Sequence, residues 1–234
     1  MRLDRFVSKS TELTQQQVSE CIAQAYVSVN GVAVTDEATQ VHENNLVQLN
    51  GQRLVPRPFR YLLLHKPQQT LCSNVDGVHP SVFSLLDIER PTELHIAGRL
   101  DADTTGLVLI TDDGRWTFNI TSPKYACYKT YRVNLAKPIK GDVIERFANG
   151  ILLQGEKGLT LPARLEIISA QEVLLTLTEG KFHQVKRMFA AVGNKVIALH
   201  RQTIGAVELD VPEGQWRYLT AAEIGSFYPK NSEA

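Results

Sequence analysis

Between Gly98 and Gly106 the sequence places Arg99, Asp101 and Asp103 within a span of nine residues, directly before the apolar run Leu107-Val108-Leu109-Ile110. A carboxylate at the entrance to a strand is held by a sheet yet reachable from solvent, which suits a nucleophile or a general base. Arg99, two residues before Asp101, could keep that carboxylate ionised. The same spacing also fits an Asx-rich turn in which both aspartates cap backbone donors. Taken alone, the loop does not decide between these readings.

Two more stretches have side chains suited to a nucleic acid. In Glu179-Gly180-Lys181-Phe182-His183-Gln184-Val185-Lys186-Arg187-Met188, the cations Lys181, His183, Lys186 and Arg187 surround Phe182, and Arg201 follows downstream. Such a cluster suits phosphate contacts with base stacking, or equally a solvated helix face. Lys129-Thr130-Tyr131, preceded by Tyr125 and Tyr128, offers rings that either stack on a base or sit half buried in a strand.

Other chemistries find little support. The sequence has no P-loop, GxGxxG, HExxH or nucleophile elbow, and its six histidines have no metal-ligand spacing. Cys21, Cys72 and Cys127 are odd in number and far apart, as reduced thiols of a cytoplasmic protein would be. If the chain is an enzyme, the expectation is that it works without metal or nucleotide cofactor. A glycosidase using Asp101 and Asp103 as its carboxylate pair lacks a tryptophan platform for a sugar beside them.

The 234 residues are 43% hydrophobic and 21% charged, with zero formal net charge, which excludes a disordered chain. Zero net charge counts against a strongly basic nucleic-acid binder, unless the positive charge is concentrated on one face. No apolar run approaches the roughly 18 residues of a membrane span, and the start lacks a signal-peptide core. The expectation is a protein of the cytoplasm that works as a monomer, away from membranes.

The elements that must position these residues fall into two modules, residues 1–55 and 61–234, joined by a linker at 56–60 that contains Pro56 and Pro58. In the first module Thr14 and Gln17 form a capping box for a helix with Val18, Cys21, Ile22 and Ala25 on one face. Val27-Ser28-Val29 then alternates into Asn30-Gly31, a hairpin signal, and Leu46–Leu49 leads into a second such pair at Asn50-Gly51. The larger module has strands near Tyr61–His65, Leu107–Ile110, Tyr131–Leu135 and Val173–Leu177. Asp142 caps a helix that turns Val143, Ile144 and Phe147 inward and ends at Gly150. Val185, Met188, Phe189 and Val192 mark another helix, ending at Gly193, and Thr220 with Glu223 caps a last short one. The fold class is α+β: a small α/β module and a larger, mainly antiparallel mixed sheet flanked by helices.

Together the three constellations resemble the pseudouridine synthase family. Ala97–Leu107 is similar to its signature motif, which implies Asp101 as the essential carboxylate and Asp103 as a loop residue. Lys129-Thr130-Tyr131 is similar to its second motif, which implies that Tyr131 packs on the target base. The 179–188 stretch is similar to the third, which implies that Lys186 pairs with Asp101 and that Leu177 lines the base pocket. Arg99 is implied as the residue that fills the space left by the base or holds a neighbouring phosphate.

The resemblance implies a cofactor-free isomerisation in which the bond from C1′ to N1 breaks, the uracil turns, and C1′ rejoins C5. Thr111-Asp112-Asp113-Gly114 and Ile120-Thr121-Ser122-Pro123 are similar to the small-subunit rRNA branch. That branch implies uridine 516 of 16S ribosomal RNA as the target. A large-subunit target and a non-catalytic ribosome-assembly factor are the alternatives. The first module resembles the S4-type RNA-binding domain in its Arg-Leu-Asp start and its Val-x-Val-Asn-Gly hairpin. It departs from that pattern in having no basic residue between Thr14 and Ala25. Through Arg57 it carries five basic and six acidic residues, so its net charge gives no support to phosphate binding.

Overall fold

The computed structural model describes residues 1–42 and 44–228. The chain divides into two compact units, Met1–Pro58 and Phe59–Ala234.

The first unit opens with a helix not anticipated from the sequence, Leu3–Ser10 (α1), which buries Leu3, Phe6 and Val7 on one face. Gln15–Ala23 (α2) starts at Thr14 with the capping box formed in both directions, and buries Val18 and Ile22. Strands Val27–Val29 (β1), Val32–Ala33 (β2), Val47–Leu49 (β3) and Gln52–Arg53 (β4) make an antiparallel sheet in the order β2-β1-β3-β4. Both Asn-Gly pairs close hairpins: Asn30, Gly31, Asn50 and Gly51 all have positive φ, as a two-residue turn matched to strand twist requires. The two helices and the sheet share a small core that includes Val27, Val41 and Val47.

The second unit is built on one large sheet. Its strands are Tyr61–Lys66 (β5), His95–Ala97 (β6), Thr105–Thr111 (β7), Lys129–Leu135 (β8), Arg164–Ser169 (β9), Glu172–Leu177 (β10), Val196–Ile204 (β11), Val207–Glu208 (β12) and Trp216–Tyr218 (β13). Among the described residues these nine strands run in the order β13-β5-β7-β11-β8-β10-β9, with β6 beside β7 and β12 beside β11. Every pairing is antiparallel except β7 with β11, so the sheet is mixed and mainly antiparallel. The helices are Gly114–Thr121 (α3), Asp142–Ala148 (α4), Gln184–Ala191 (α5) and Ala221–Gly225 (α6).

Strand alternation assigns the two faces. Leu62, Leu64, Val108, Ile110, Tyr131, Val133, Leu175 and Leu177 join one core with Val143 and Phe147 of α4 and Val185, Met188 and Phe189 of α5. Leu63, Leu107 and Leu109 face the other way, against Trp116 and Ile120 of α3 and Phe227. Tyr131, Leu177 and α5 therefore lie on the same side of the sheet.

Two expectations for α4 need correction. Asp142 is its first residue and Gly141 occupies the cap position. Ile144 is exposed, because the buried stripe of so short a helix is Val143 and Phe147, four residues apart, and position 144 points about 100° away from Val143. Ala25, expected on the apolar face of α2, lies beyond the end of that helix at Ala23, exposed and with positive φ. α5 ends at a Gly193 of positive φ, and α6 has the Thr220–Glu223 capping box.

Candidate active site

Asp101 lies in the loop that joins β6 to β7, and buried cations from other strands hold that loop from below. Lys66, fully buried at the end of β5, donates to the carbonyls of Pro67 (2.9 Å), Ala102 (3.2 Å) and Thr104 (2.8 Å). All three ammonium protons are used, so the buried charge is solvated by backbone dipoles. Burial nevertheless draws the Lys66 amine below its ordinary range. Arg201 of β11, only 1% exposed, donates to the carbonyls of Leu107 and Gly98 at 2.7 Å each, fixing the loop at both ends. The Leu100 amide donates to Cys72 Sγ at 3.3 Å, and the Gln69 amide to the Ala102 carbonyl at 2.8 Å.

A close backbone approach completes the scaffold. Gly106 has φ +111, and a Cβ on it would lie 2.3 Å from the Arg201 carbonyl oxygen. Only glycine lets β7 and β11 pair there.

Above this support both carboxylates of the loop turn toward α5. Lys186 Nζ donates to Asp101 Oδ2 at 2.9 Å and to Asp103 Oδ1 at 2.6 Å. His183 Nε2 lies 3.4 Å from Asp101 Oδ1. Partial burial works to lower the Lys186 amine, but its hydrogen bonds to Asp103 and Asp101 more than compensate and its pKa is raised. The bond from Lys186 holds the Asp103 carboxyl below the ordinary carboxylate range. Both side chains of the loop are thus paired with the same cation.

Beside Asp101 is an open cavity of about 110 Å³, lined by Arg99, Tyr131, Leu177, His183, Lys186 and Leu199 among others. Drug-sized ligands occupy clefts of about 300–1,000 Å³, so this one suits a single planar ring with its sugar left outside. Tyr131 and Leu177 are both buried and lie diagonally on the paired strands β8 and β10, where Tyr131 is opposite Leu175 and Leu177 opposite Lys129. The Arg201 guanidinium sits 5.9 Å from the centre of the Tyr131 ring and so links that ring to the Asp101 loop.

The structure thus brings Asp101, Arg99, Tyr131, Leu177 and Lys186 to one cavity, with three differences from the sequence reading. Among the described residues Arg99 forms no ion pair with Asp101; it is exposed at the rim, and the side chains that meet the carboxylate are the Lys186 ammonium and the His183 imidazole. The basic cluster around Phe182 is dispersed. Lys181 and Arg187 both bind Glu156, at 3.1 Å each, and Arg201 is buried beneath the loop. Tyr125 packs edge-on to Phe118 and Tyr128 is exposed, so neither ring joins Tyr131 at the cavity. Lys66 and Cys72 were not anticipated at all. The one trace of Lys66 in the sequence is a charged residue that ends an apolar strand just before a proline.

This fold and site define a class, and residues 60–191 match the family of RNA pseudouridylate synthases. The chain belongs to that family and is an RNA pseudouridine synthase, an isomerase. It is 48% identical over 230 residues to "Ribosomal small subunit pseudouridine synthase A" of Vibrio cholerae serotype O1, covering 97% of this chain and all of that one. The proteins of the same name from Vibrio vulnificus and Haemophilus influenzae are 50% identical over 232 residues and 47% identical over 227. They cover 97% and 96% of this chain, and 100% and 98% of their own length. A solved structure described as a pseudouridylate synthase matches with a TM-score of 0.72 and 45% identity, covering 97% of this chain and all of that one. Among the described residues no helix is long and apolar enough to cross a membrane, and no group of three or more His, Cys, Asp or Glu could hold a metal ion.

Proposed function

We propose that this enzyme converts a uridine of small-subunit ribosomal RNA to pseudouridine, at the position corresponding to uridine 516 of 16S RNA, with Asp101 as its catalytic carboxylate. The observation that carries this reading is the placement of Asp101 on a rigid loop at a ring-sized cavity, with Lys186 2.9 Å away. In this reading the uracil leaves its stack, at a cost of a few kcal/mol, and enters between Tyr131 and Leu177. Packing of the base against an aromatic ring offsets about 1–3 kcal/mol of that cost. The Asp101 carboxylate then acts at the sugar or the base, while Lys186 balances its charge. Breaking C1′–N1 and forming C1′–C5 conserves the atoms of the nucleotide, with the C5 proton released and N1 protonated. Arg99, exposed at the rim, takes the space left by the base or a neighbouring phosphate.

The small-subunit assignment draws on the names of relatives that match over nearly their whole length. We read residues 1–55 as an S4-type module on the similarity of their start and first hairpin, and the enzyme as a monomer acting on RNA or an assembly intermediate in the cytoplasm. The test is tritium release from RNA labelled with 5-³H-uridine, followed by mapping of the product. Release is expected from small-subunit RNA and not from large-subunit RNA. The opposite preference would overturn the substrate, and release neither from free RNA nor from a small-subunit assembly intermediate would leave the assembly-factor reading.

A further inference from the structure

Phe182 is 76% exposed, in the turn between β10 and α5. Single exposed apolar side chains are common on protein surfaces and need no explanation by themselves. Here the surroundings are unusual. The Phe182 ring lies flat against the His183 imidazole, centroids 3.7 Å apart and planes 21° from parallel. His183 has φ +48, a left-handed conformation that carries a cost for any residue with a side chain and that, between adjacent residues, accompanies this overlay. The far edge of the same imidazole approaches Asp101 at 3.4 Å. The two rings and the carboxylate form one continuous line from solvent to the cavity.

The turn is also rigid. Arg187 Nη1 donates to the Phe182 carbonyl at 3.0 Å while Arg187 binds Glu156 and the Gln154 carbonyl. Gln184 accepts from the Lys181 amide at 2.8 Å and donates to Glu179 Oε1 at 2.7 Å, and Glu179 in turn accepts from the Leu161 amide at 2.9 Å. Lys181 and Arg187, two of the basic residues around Phe182, are thereby committed to Glu156 at this turn, and what it presents to solvent is an aromatic face.

We infer that the free face of Phe182 is a stacking subsite for an unpaired RNA base adjacent to the target uridine. When the uridine is drawn into the cavity its neighbour loses a stacking partner, and a fixed aromatic ring at the mouth replaces it. The inference rests on the cavity beside Asp101 being the uridine site. It adds a contact to the RNA outside that cavity, made without positive charge, in a protein whose net charge is zero.

The test uses the full chain and a transcript of small-subunit ribosomal RNA. Phe182→Ala is expected to raise KM and the RNA dissociation constant roughly 5- to 100-fold, with the single-turnover rate at saturating RNA nearly unchanged. Phe182→Trp is expected to restore affinity, and its fluorescence to be quenched by RNA beyond the change seen in wild type, where Trp116 is buried and Trp216 half buried. A Phe182→Ala variant within about twofold of wild type in dissociation constant, or no added quenching in Phe182→Trp at saturating RNA, would overturn the subsite. Failure of the underlying reading gives a different pattern: wild type then releases no tritium, whatever the binding data show.

Discussion

Lys186 serves two carboxylates, and the shorter of its two bonds goes to the one that the sequence marks as a loop residue. Asp103 is 70% exposed in its side chain, so its attraction to Lys186 is screened by water. We expect Asp103→Asn to lose less than about tenfold in single-turnover rate, because Lys186 keeps Asp101 as a partner. Its effect on stability depends on pH with a definite sign. The Asp103 carboxyl is held below its ordinary value of 3.8, so the folded protein binds fewer protons there than the unfolded chain. The small stabilisation is complete above 3.8 and disappears as pH falls through the lower folded value. Urea unfolding of both proteins across this range should show the two curves converging toward acid. A gap that widened toward acid would contradict the pairing.

At the level of elements, the site depends on the pairing of β7 with β11, the one parallel strand pair among the described residues. Gly106→Ala puts a methyl group against the Arg201 backbone at a φ that disfavours it, and we expect a loss of about 2–4 kcal/mol in denaturant unfolding together with lower activity. A variant as stable as wild type would show that the close approach is dispensable. What was legible in the sequence at this scale follows the same physics. α2, α5 and α6 announce themselves through caps and apolar spacing, and β5, β7, β8 and β10 through apolar runs or alternation. β11, nine residues long, was missed because His200 and the buried Arg201 interrupt its pattern. α1 was missed because its eight residues start without a side-chain cap. Lys66 and Arg201 reach the Asp101 loop and its flanks over separations of 36 to 103 residues, and no local pattern encodes these contacts.

Over the whole molecule, charge is balanced yet unevenly used. The basic side chains around the cavity are mostly assigned to fixed partners: Lys66 and Arg201 to the Asp101 loop, Lys181 and Arg187 to Glu156, and Lys186 to the two carboxylates. Positive charge around the cavity therefore builds the site. The motifs around Asp101, Tyr131 and Lys186 are each ambiguous alone, and the fold brings all three residues to one cavity. The most direct test is single-turnover tritium release from small-subunit RNA by wild type and Asp101→Asn, with RNA affinity and thermal midpoint measured in parallel. The account requires a fall of at least about 1,000-fold in rate, with affinity and midpoint nearly unchanged. An Asp101→Asn enzyme that isomerises uridine within about tenfold of the wild-type rate would contradict it.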